Sequence, residues 1–277
     1  MEMDVIWLDN FLRRALEEDI GGGDITTESC VPAGRRVQGQ FLVKEAGVLC
    51  GFGVVRRVFS LLDPGIVLRT DRLDGESADA GETAATLEGP ARAILTGERT
   101  ALNLLQRLSG IATATARAVA AVKDFPVRIT DTRKTTPGMR ALEKYAVRTG
   151  GGANHRFNLS DGVLIKDNHI AAAGGIGPAV AAARARAPHP LKVEVEVSTL
   201  DEVREALDAG AACVMLDNMT DDDMRAAVRH IGGRALVEAS GSMGARDLAQ
   251  VAATGVDLIS IGALTHSPRA LDISLNL

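Results

Sequence analysis

Residues 193–217 read VEVEVSTLDEVREALDAGAACVMLD. Val193–Val197 and Cys213–Asp217 are short apolar runs of strand length, each closing in a polar or charged residue, and Leu200–Ala209 between them has helical patterning. Working outward, the same form recurs at Val127–Asp131, Val163–Lys166, Ala235–Glu238 and Leu258–Ile261, with further helical segments such as Asp222–Ile231. Regular β–α alternation predicts a parallel sheet with helices covering it. Strand after strand ending in polar or charged residues predicts a barrel whose site sits at the carboxyl-end mouth. Six clear strands are too few for an eight-fold barrel. The expected fold is therefore α/β, an open incomplete barrel of six to seven strands.

Upstream the pattern differs. Trp7-Leu8, Phe11-Leu12 and Ala15-Leu16 recur at helical spacing, and Gly21-Gly22-Gly23 stops that helix. Asp24-Ile25-Thr26-Thr27 reads as a loop entering strands. Val37–Val43 alternates apolar with polar residues, and Val48-Leu49-Cys50 reads as continuing the sheet. Phe52–Leu62 predicts a helix stopped by Asp63-Pro64-Gly65, and Ile66–Thr70 and Thr83–Glu88 predict short strands. Ala91–Val122 reads as almost wholly helical, with a break at Ser109-Gly110. Residues 1–102 are thus expected to form a small α+β sandwich domain. The alternating tail, 269–277, is expected to return to its sheet, leaving 103–268 as the barrel domain.

Bulk properties narrow the function. The chain has 277 residues, 46% of them hydrophobic, and a formal net charge of −5, enough for a sizeable core. With 3% aromatic residues, a base-stacking nucleic-acid surface is not expected. The longest apolar run, Ile170–Ala183, contains Pro178 and is too short to span a bilayer. The acidic start, Met1-Glu2-Met3-Asp4, is not expected to open a signal peptide. Cys30, Cys50 and Cys213 lie far apart with no metal-type pair, as expected in a reducing cytoplasm. Without a secretion signal, the sequons at Asn158-Leu159-Ser160 and Asn218-Met219-Thr220 read as chance.

The positive charge is gathered in one segment. Residues 127–169 hold eight Lys or Arg against four acids, the composition of a focused anion site. Arg133, His155 and Arg156 are suited to planar carboxylates, arginine through its bidentate fork. Lys134 and Lys166 stand out because the chain has only six lysines and both follow strands. Each suits a phosphate or, if desolvated, Schiff-base chemistry; the plainer alternative is an ion pair such as Lys166 with Asp167. Glu196 and Asp217, at the ends of consecutive strands, can offer two carboxylates to a hard cation such as Mg2+. The plainer alternative there is a solvated strand end or salt bridges to Arg204 or Arg225. Glu194 shares a face with Glu196, as a second ligand or a partner for a lysine. Ser240-Gly241-Ser242 and Gly262 to His266 follow the last strands, where backbone N–H groups can cradle a monophosphate; plain turns are the alternative. No GxxxxGK[ST], complete GxGxxG or serine-nucleophile signature is present.

Four blocks, in order, carry a specific resemblance. Thr132-Arg133-Lys134-Thr135-Thr136-Pro137-Gly138, Glu143-Lys144-Tyr145-Ala146-Val147-Arg148, Asn154-His155-Arg156 and Leu164-Ile165-Lys166-Asp167-Asn168-His169 closely resemble quinolinate phosphoribosyltransferases, from about Asp19 to the C-terminus. The resemblance implies magnesium-dependent, decarboxylating transfer from phosphoribosyl pyrophosphate to quinolinate. The products are nicotinate mononucleotide, pyrophosphate and carbon dioxide, a step of NAD biosynthesis. It further implies that Arg99, Arg133, His155, Arg156 and Lys166 bind the quinolinate carboxylates. Lys134, Glu196 and Asp217 would hold phosphoribosyl pyrophosphate and its Mg2+, and Ser240, Gly241, Gly262 and His266 its 5-phosphate. Lys134, Lys166, Glu196 and Asp217 form the implied catalytic group. The family is usually a homodimer in which the Arg99 equivalent is lent to the partner's site. Ala153 and Ser242 depart from its commonest pattern, where histidine and glycine are frequent. Three alternatives stay open: the molybdenum-transport-associated paralogue of the same fold, a Schiff-base aldolase on Lys134 or Lys166, and a non-catalytic sensor of a phosphorylated metabolite.

Overall fold

Apolar periodicity of 3.6 and 2 residues sorts the chain into alternating elements, and the computed structural model describes them over residues 5–277. The acidic start, Met1–Asp4, lies outside the described residues. In chain order come α1 (Val5–Ile20), α2 (Ile25–Cys30), β1 (Arg36–Val43), β2 (Gly47–Val48), α3 (Phe52–Leu62), β3 (Val67–Arg69), β4 (Ser77–Ala78), β5 (Thr83–Pro90) and α4 (Ala91–Ala121). There follow β6 (Arg128–Thr130), α5 (Arg140–Thr149), β7 (Val163–Ile165), α6 (Asp167–Ala173), α7 (Ile176–Arg186), β8 (Val193–Val197), α8 (Leu200–Asp208) and β9 (Cys213–Asp217). Last are α9 (Asp221–Ile231), β10 (Leu236–Ser240), α10 (Leu248–Ala252), β11 (Leu258–Ser260), α11 (Ala263–His266) and β12 (Ile273–Asn276).

Packing divides these elements into two units. The first takes the chain up to Ala116 together with Pro137–Gly151 and Pro268–Leu277. Its antiparallel sheet has the order β12-β1-β5-β3, so the C-terminal tail does pair with β1. Phe41, Leu87, Phe59, Ile94 and Leu105 are fully or almost fully buried, each such side chain contributing roughly 1.5–3 kcal/mol. Helix α5 belongs with this unit through the Arg107–Glu143 ion pair at 2.6 Å and the Tyr145 hydroxyl, which donates to Asp74 at 2.6 Å.

Three local expectations are corrected here. Asp24–Thr27 is not a loop into strands: the Asp24 carboxylate accepts the Thr27 N–H at 3.0 Å and caps the short helix α2. The strand at Val48 does not run on through Cys50, and β2 pairs only with β4, apart from the main sheet. Side-chain hydroxyls of α4 take over its hydrogen bonding, with Val48 N–H donating to Thr113 at 2.8 Å and Cys50 N–H to Ser109 at 3.0 Å. Nor does α4 break at Ser109-Gly110. A β-carbon on Gly110 would lie 2.0 Å from the carbonyl oxygen of Arg269, so this glycine serves a close approach within an unbroken helix. Gly110→Ala is expected to destabilise the protein by about 3 kcal/mol, read as a lowered midpoint in thermal denaturation.

The second unit comprises Arg117–Thr136 and Gly152–Ser267. All six expected strands form, in one parallel sheet of order β6-β11-β10-β9-β8-β7. Strands β6 and β7 are the outer pair and are not bonded to each other, which leaves the barrel open. Beyond β6, Ala153 N–H donates to the Ile129 carbonyl at 2.8 Å and adds a single parallel bridge at the edge. Helices α8 and α9 are started by Thr199 and Thr220, whose hydroxyls accept the N–H groups of Glu202 and Asp223 at 3.2 Å. Val203, Ala206, Met224, Ala227 and Ile231 on these helices are fully buried.

Candidate active site

Period-two alternation aims the inward residues of each strand at one interior. Cys213, Met215 and Asp217 line it from β9, Leu236, Glu238 and Ser240 from β10, and Glu194 and Glu196 from β8. Pairing brings Ser240 level with Asp217 and sets Glu196 and Glu238 on either side of Met215. The carboxyl ends of the strands open into a cavity of about 560 Å³. Nine of the residues singled out in the sequence line it: Arg133, Lys134, His155, Arg156, Lys166, Glu196, Asp217, Ser240 and Gly241. Gly262 and His266 do not line it but sit beside Lys134: a β-carbon on Gly262 would be 3.0 Å from Lys134 Cδ and 3.2 Å from His266 Cδ2. Arg99 lies exposed on α4 in the first unit.

Local hydrogen bonds hold each wall. Asp131, fully buried at the end of β6, accepts the Asn154 amide at 2.6 Å and the His155 N–H at 2.9 Å, tying that loop to the strand end. Lys134 is exposed, its N–H donating to the Thr132 hydroxyl at 3.0 Å and its carbonyl accepting from Thr265 at 2.8 Å. Arg156 Nη1 donates to the Gly162 carbonyl at 3.0 Å. Burial, and after it the neighbouring charge of Arg133, lowers the pKa of the Arg156 guanidinium, against a smaller opposing effect of Glu194.

The ion pairs differ from the plainer alternatives. Lys166 pairs with Glu196 across the strand ends rather than with Asp167. Arg204 pairs with Asp201 and Arg225 with Asp222, each along its own helix, and Asp217 accepts from Asn218 Nδ2 at 2.9 Å. Glu194 is not a lysine's partner: it accepts from the Cys213 thiol at 3.2 Å and faces His155 Nε2 at 3.2 Å. Burial, then the charge of Glu194, raises the Cys213 thiol pKa and keeps it protonated.

His155 turns both ring nitrogens to the protein. Nδ1 accepts the Arg156 N–H at 2.7 Å, so the ring proton resides on Nε2, which lies 3.2 Å from a Glu194 oxygen and 3.7 Å from a Glu238 oxygen. Among the described residues, His155, Glu194 and Glu238 bring donor atoms within 4.8 Å of one another. A protonated Nε2 has no lone pair for a metal. Glu238 is almost fully buried, and burial followed by the charge of Glu194 pushes its carboxyl up to about 7.

The loop after β10 is shaped for close backbone approach. Gly241 has φ +89°, and a β-carbon there would lie 2.3 Å from Asn218 Oδ1. Asn218 and Ser242 also adopt left-handed backbone, at φ 55° and 53°, the kind of local strain that collects at functional sites. Glu238, Asn218 and Ser260 are cavity residues that the sequence reading missed. Glu238 and Ser240 are two apart on one strand, and that spacing is the signal that could have found the first of them.

Fold and site together define an open α/β-barrel protein whose mouth carries cations on one wall and carboxylates on the next. The chain belongs to the quinolinate phosphoribosyl transferase family: residues 24–109 match its N-terminal domain and residues 111–276 its C-terminal domain. It is 45% identical over 275 residues to a probable nicotinate-nucleotide pyrophosphorylase (carboxylating) of Bacillus subtilis, spanning 99% of this chain and 95% of that protein. The solved structure of NadC from Streptococcus pyogenes superposes with a TM-score of 0.94 at 42% identity, covering 100% of this chain and 98% of that one. The nicotinate-nucleotide pyrophosphorylase from Francisella tularensis gives 0.95 at 40% identity, covering 99% and 97%. Among the described residues, no helix is long and apolar enough to cross a membrane.

Proposed function

We propose that this chain catalyses the decarboxylating transfer of phosphoribose from phosphoribosyl pyrophosphate to quinolinate. It yields nicotinate mononucleotide, pyrophosphate and carbon dioxide for NAD biosynthesis. The observation that carries this reading is the convergence of the nine residues named above on one cavity, in a chain of this family. Arg133, Arg156 and Lys166 supply cations for the two carboxylates of quinolinate, and His155 sets the backbone of Arg156. Lys134 faces the pyrophosphate, while Ser240, Gly241, Gly262 and His266 serve the 5-phosphate. Departure of pyrophosphate leaves an oxocarbenium-like ribosyl centre, so the protein's task is positioning and charge neutralisation. The pyridine nitrogen attacks that centre, and the cationic ring then accepts the electrons left when the adjacent carboxylate departs.

Glu196 and Asp217 would hold Mg2+. Both are hard oxygen donors at the ends of neighbouring strands, and among the described residues Asp217 has no cationic partner. When bound, the ion neutralises charge on the pyrophosphate oxygens. Exposed Lys134 and ion-paired Lys166 lack the desolvation that favours Schiff-base chemistry, and the Bacillus subtilis and Francisella tularensis relatives carry the pyrophosphorylase name rather than that of the molybdenum-transport paralogue. Three free thiols support a reducing, cytoplasmic setting.

The test is one assay with quinolinate, phosphoribosyl pyrophosphate and Mg2+. Equal amounts of nicotinate mononucleotide and carbon dioxide are expected, both lost on chelation; neither product from folded protein overturns the reading. We further propose a homodimer in which exposed Arg99 serves the partner's site. Mixing Arg99→Ala with Lys166→Ala protein should then restore about a quarter of native activity at random subunit exchange, because one of the two sites in each hybrid dimer is intact. Demonstrated exchange without recovery would exclude a shared site.

A further inference from the structure

Resting on the function just proposed, the chemistry leaves one need unmet. When the carboxylate beside the ring nitrogen departs as carbon dioxide, the electron pair of the broken bond stays on the ring carbon and must take up a proton. Three carboxyl groups line the cavity: Glu196, Asp217 and Glu238. The first is paired with Lys166, and both it and Asp217 are suited to the metal. Glu238 lies one layer deeper on β10, its side chain 2% exposed, and among the described residues its Oε1 has no hydrogen-bond partner.

Glu238 is faced by Glu194 from β8, the Cys213 thiol from β9, the Ser260 hydroxyl from β11, Lys166 at the end of β7, and His155. His155 Nε2 lies nearer Glu194, at 3.2 Å, than Glu238, at 3.7 Å, which leaves Glu238 the less compensated of two neighbouring carboxyls. A buried carboxyl beside a carboxylate favours its neutral form. A neutral carboxyl in turn carries an O–H that seeks an acceptor, and a substrate carboxylate entering the cavity is one.

We propose that Glu238 is a catalytic acid: its protonated carboxyl donates a hydrogen bond to the ring carboxylate and then delivers its proton to the ring carbon that carbon dioxide vacates. The C–C bond breaks and its electron pair stays on the ring carbon. The O–H bond of Glu238 breaks as the new C–H bond forms. Carbon dioxide leaves neutral, and Glu238 is left as a carboxylate under the charge of Lys166. Its next proton comes from solvent through a second cavity of about 640 Å³ at the amino ends of the strands, which Glu238 and His155 also line.

The experiment is a single-turnover measurement with quinolinate, phosphoribosyl pyrophosphate and Mg2+, quantifying pyrophosphate, carbon dioxide and mononucleotide separately. Glu238→Gln keeps a hydrogen-bond donor but has no transferable proton. It should retain pyrophosphate release and quinolinate KM within about 3-fold while slowing carbon dioxide and mononucleotide formation about 100-fold, with the dicarboxylate nucleotide accumulating. Glu238→Ala, which loses the donor as well, should also raise the quinolinate KM. In the native enzyme the carbon dioxide step should slow as pH rises through neutrality, because the acid form is present below that range and lost above it; this readout does not depend on a variant folding. Decarboxylation at the native rate in Glu238→Gln, or equal slowing of both steps with no accumulating nucleotide, would overturn the proposal, as would a native carbon dioxide step that is flat across neutrality. Native protein that releases neither pyrophosphate nor carbon dioxide would instead overturn the function on which it rests.

Discussion

Asp217→Asn is expected to lower kcat/KM for phosphoribosyl pyrophosphate by about 10³-fold, or roughly 4 kcal/mol of transition-state stabilisation. The carboxylate stands at the carboxyl end of β9, half-buried, and accepts a hydrogen bond from the Asn218 amide. Asparagine has the same shape, so the strand and its pairing with β10 should persist and the thermal midpoint should barely move. What changes is a full negative charge. Among the described residues Glu196 is paired with Lys166 and Asp217 with no cation, so Mg2+ held there as proposed, with phosphoribosyl pyrophosphate, would break no ion pair of Asp217. Steady-state kinetics at varied Mg2+, beside a melting curve, check both halves. Unaltered kinetics would remove Asp217 from the metal site.

Arg156→Lys should cost about 100-fold in kcat/KM for quinolinate at neutral pH, roughly 2.7 kcal/mol, and the loss should grow as pH rises. Two effects act together. Lysine gives up the planar fork that grips a carboxylate at two points. It would also feel the burial and the Arg133 charge that lower the pKa of Arg156. Arginine starts so high that it stays charged. A lysine in the same surroundings has its folded pKa lowered and sheds its proton as pH rises through that value. A pH profile of kcat/KM for variant and native protein checks the sign; parallel profiles would show that the site does not penalise a lysine's charge.

Much of the architecture was legible because its signals are local. Each of the six strands is an apolar run of a few residues closing in polar ones, and each can be seen without its neighbours. The cation-rich stretch around Arg133, Lys134, Arg156 and Lys166 is likewise a compositional signal within one segment. Gly110 misled for the opposite reason. A glycine in a helix reads as a break, whereas here it admits the Arg269 carbonyl from 159 residues further along the chain. Asp24–Thr27 misled because a helix of one or two turns has no periodicity to display, and only the capping bond reveals it.

The sequence by itself determined the alternation of strand and helix, the parallel open barrel, and the gathering of cations with a Glu and an Asp at successive strand ends. Tertiary structure alone decided the pairings. Lys166 meets Glu196 rather than Asp167, His155 spends one nitrogen on Arg156 and sets the other between Glu194 and Glu238, and Glu238 faces inward one layer below the mouth. The physical reason is that period and composition are properties of one segment, whereas a buried partner is set by strand register and by which layer of the barrel interior a side chain enters.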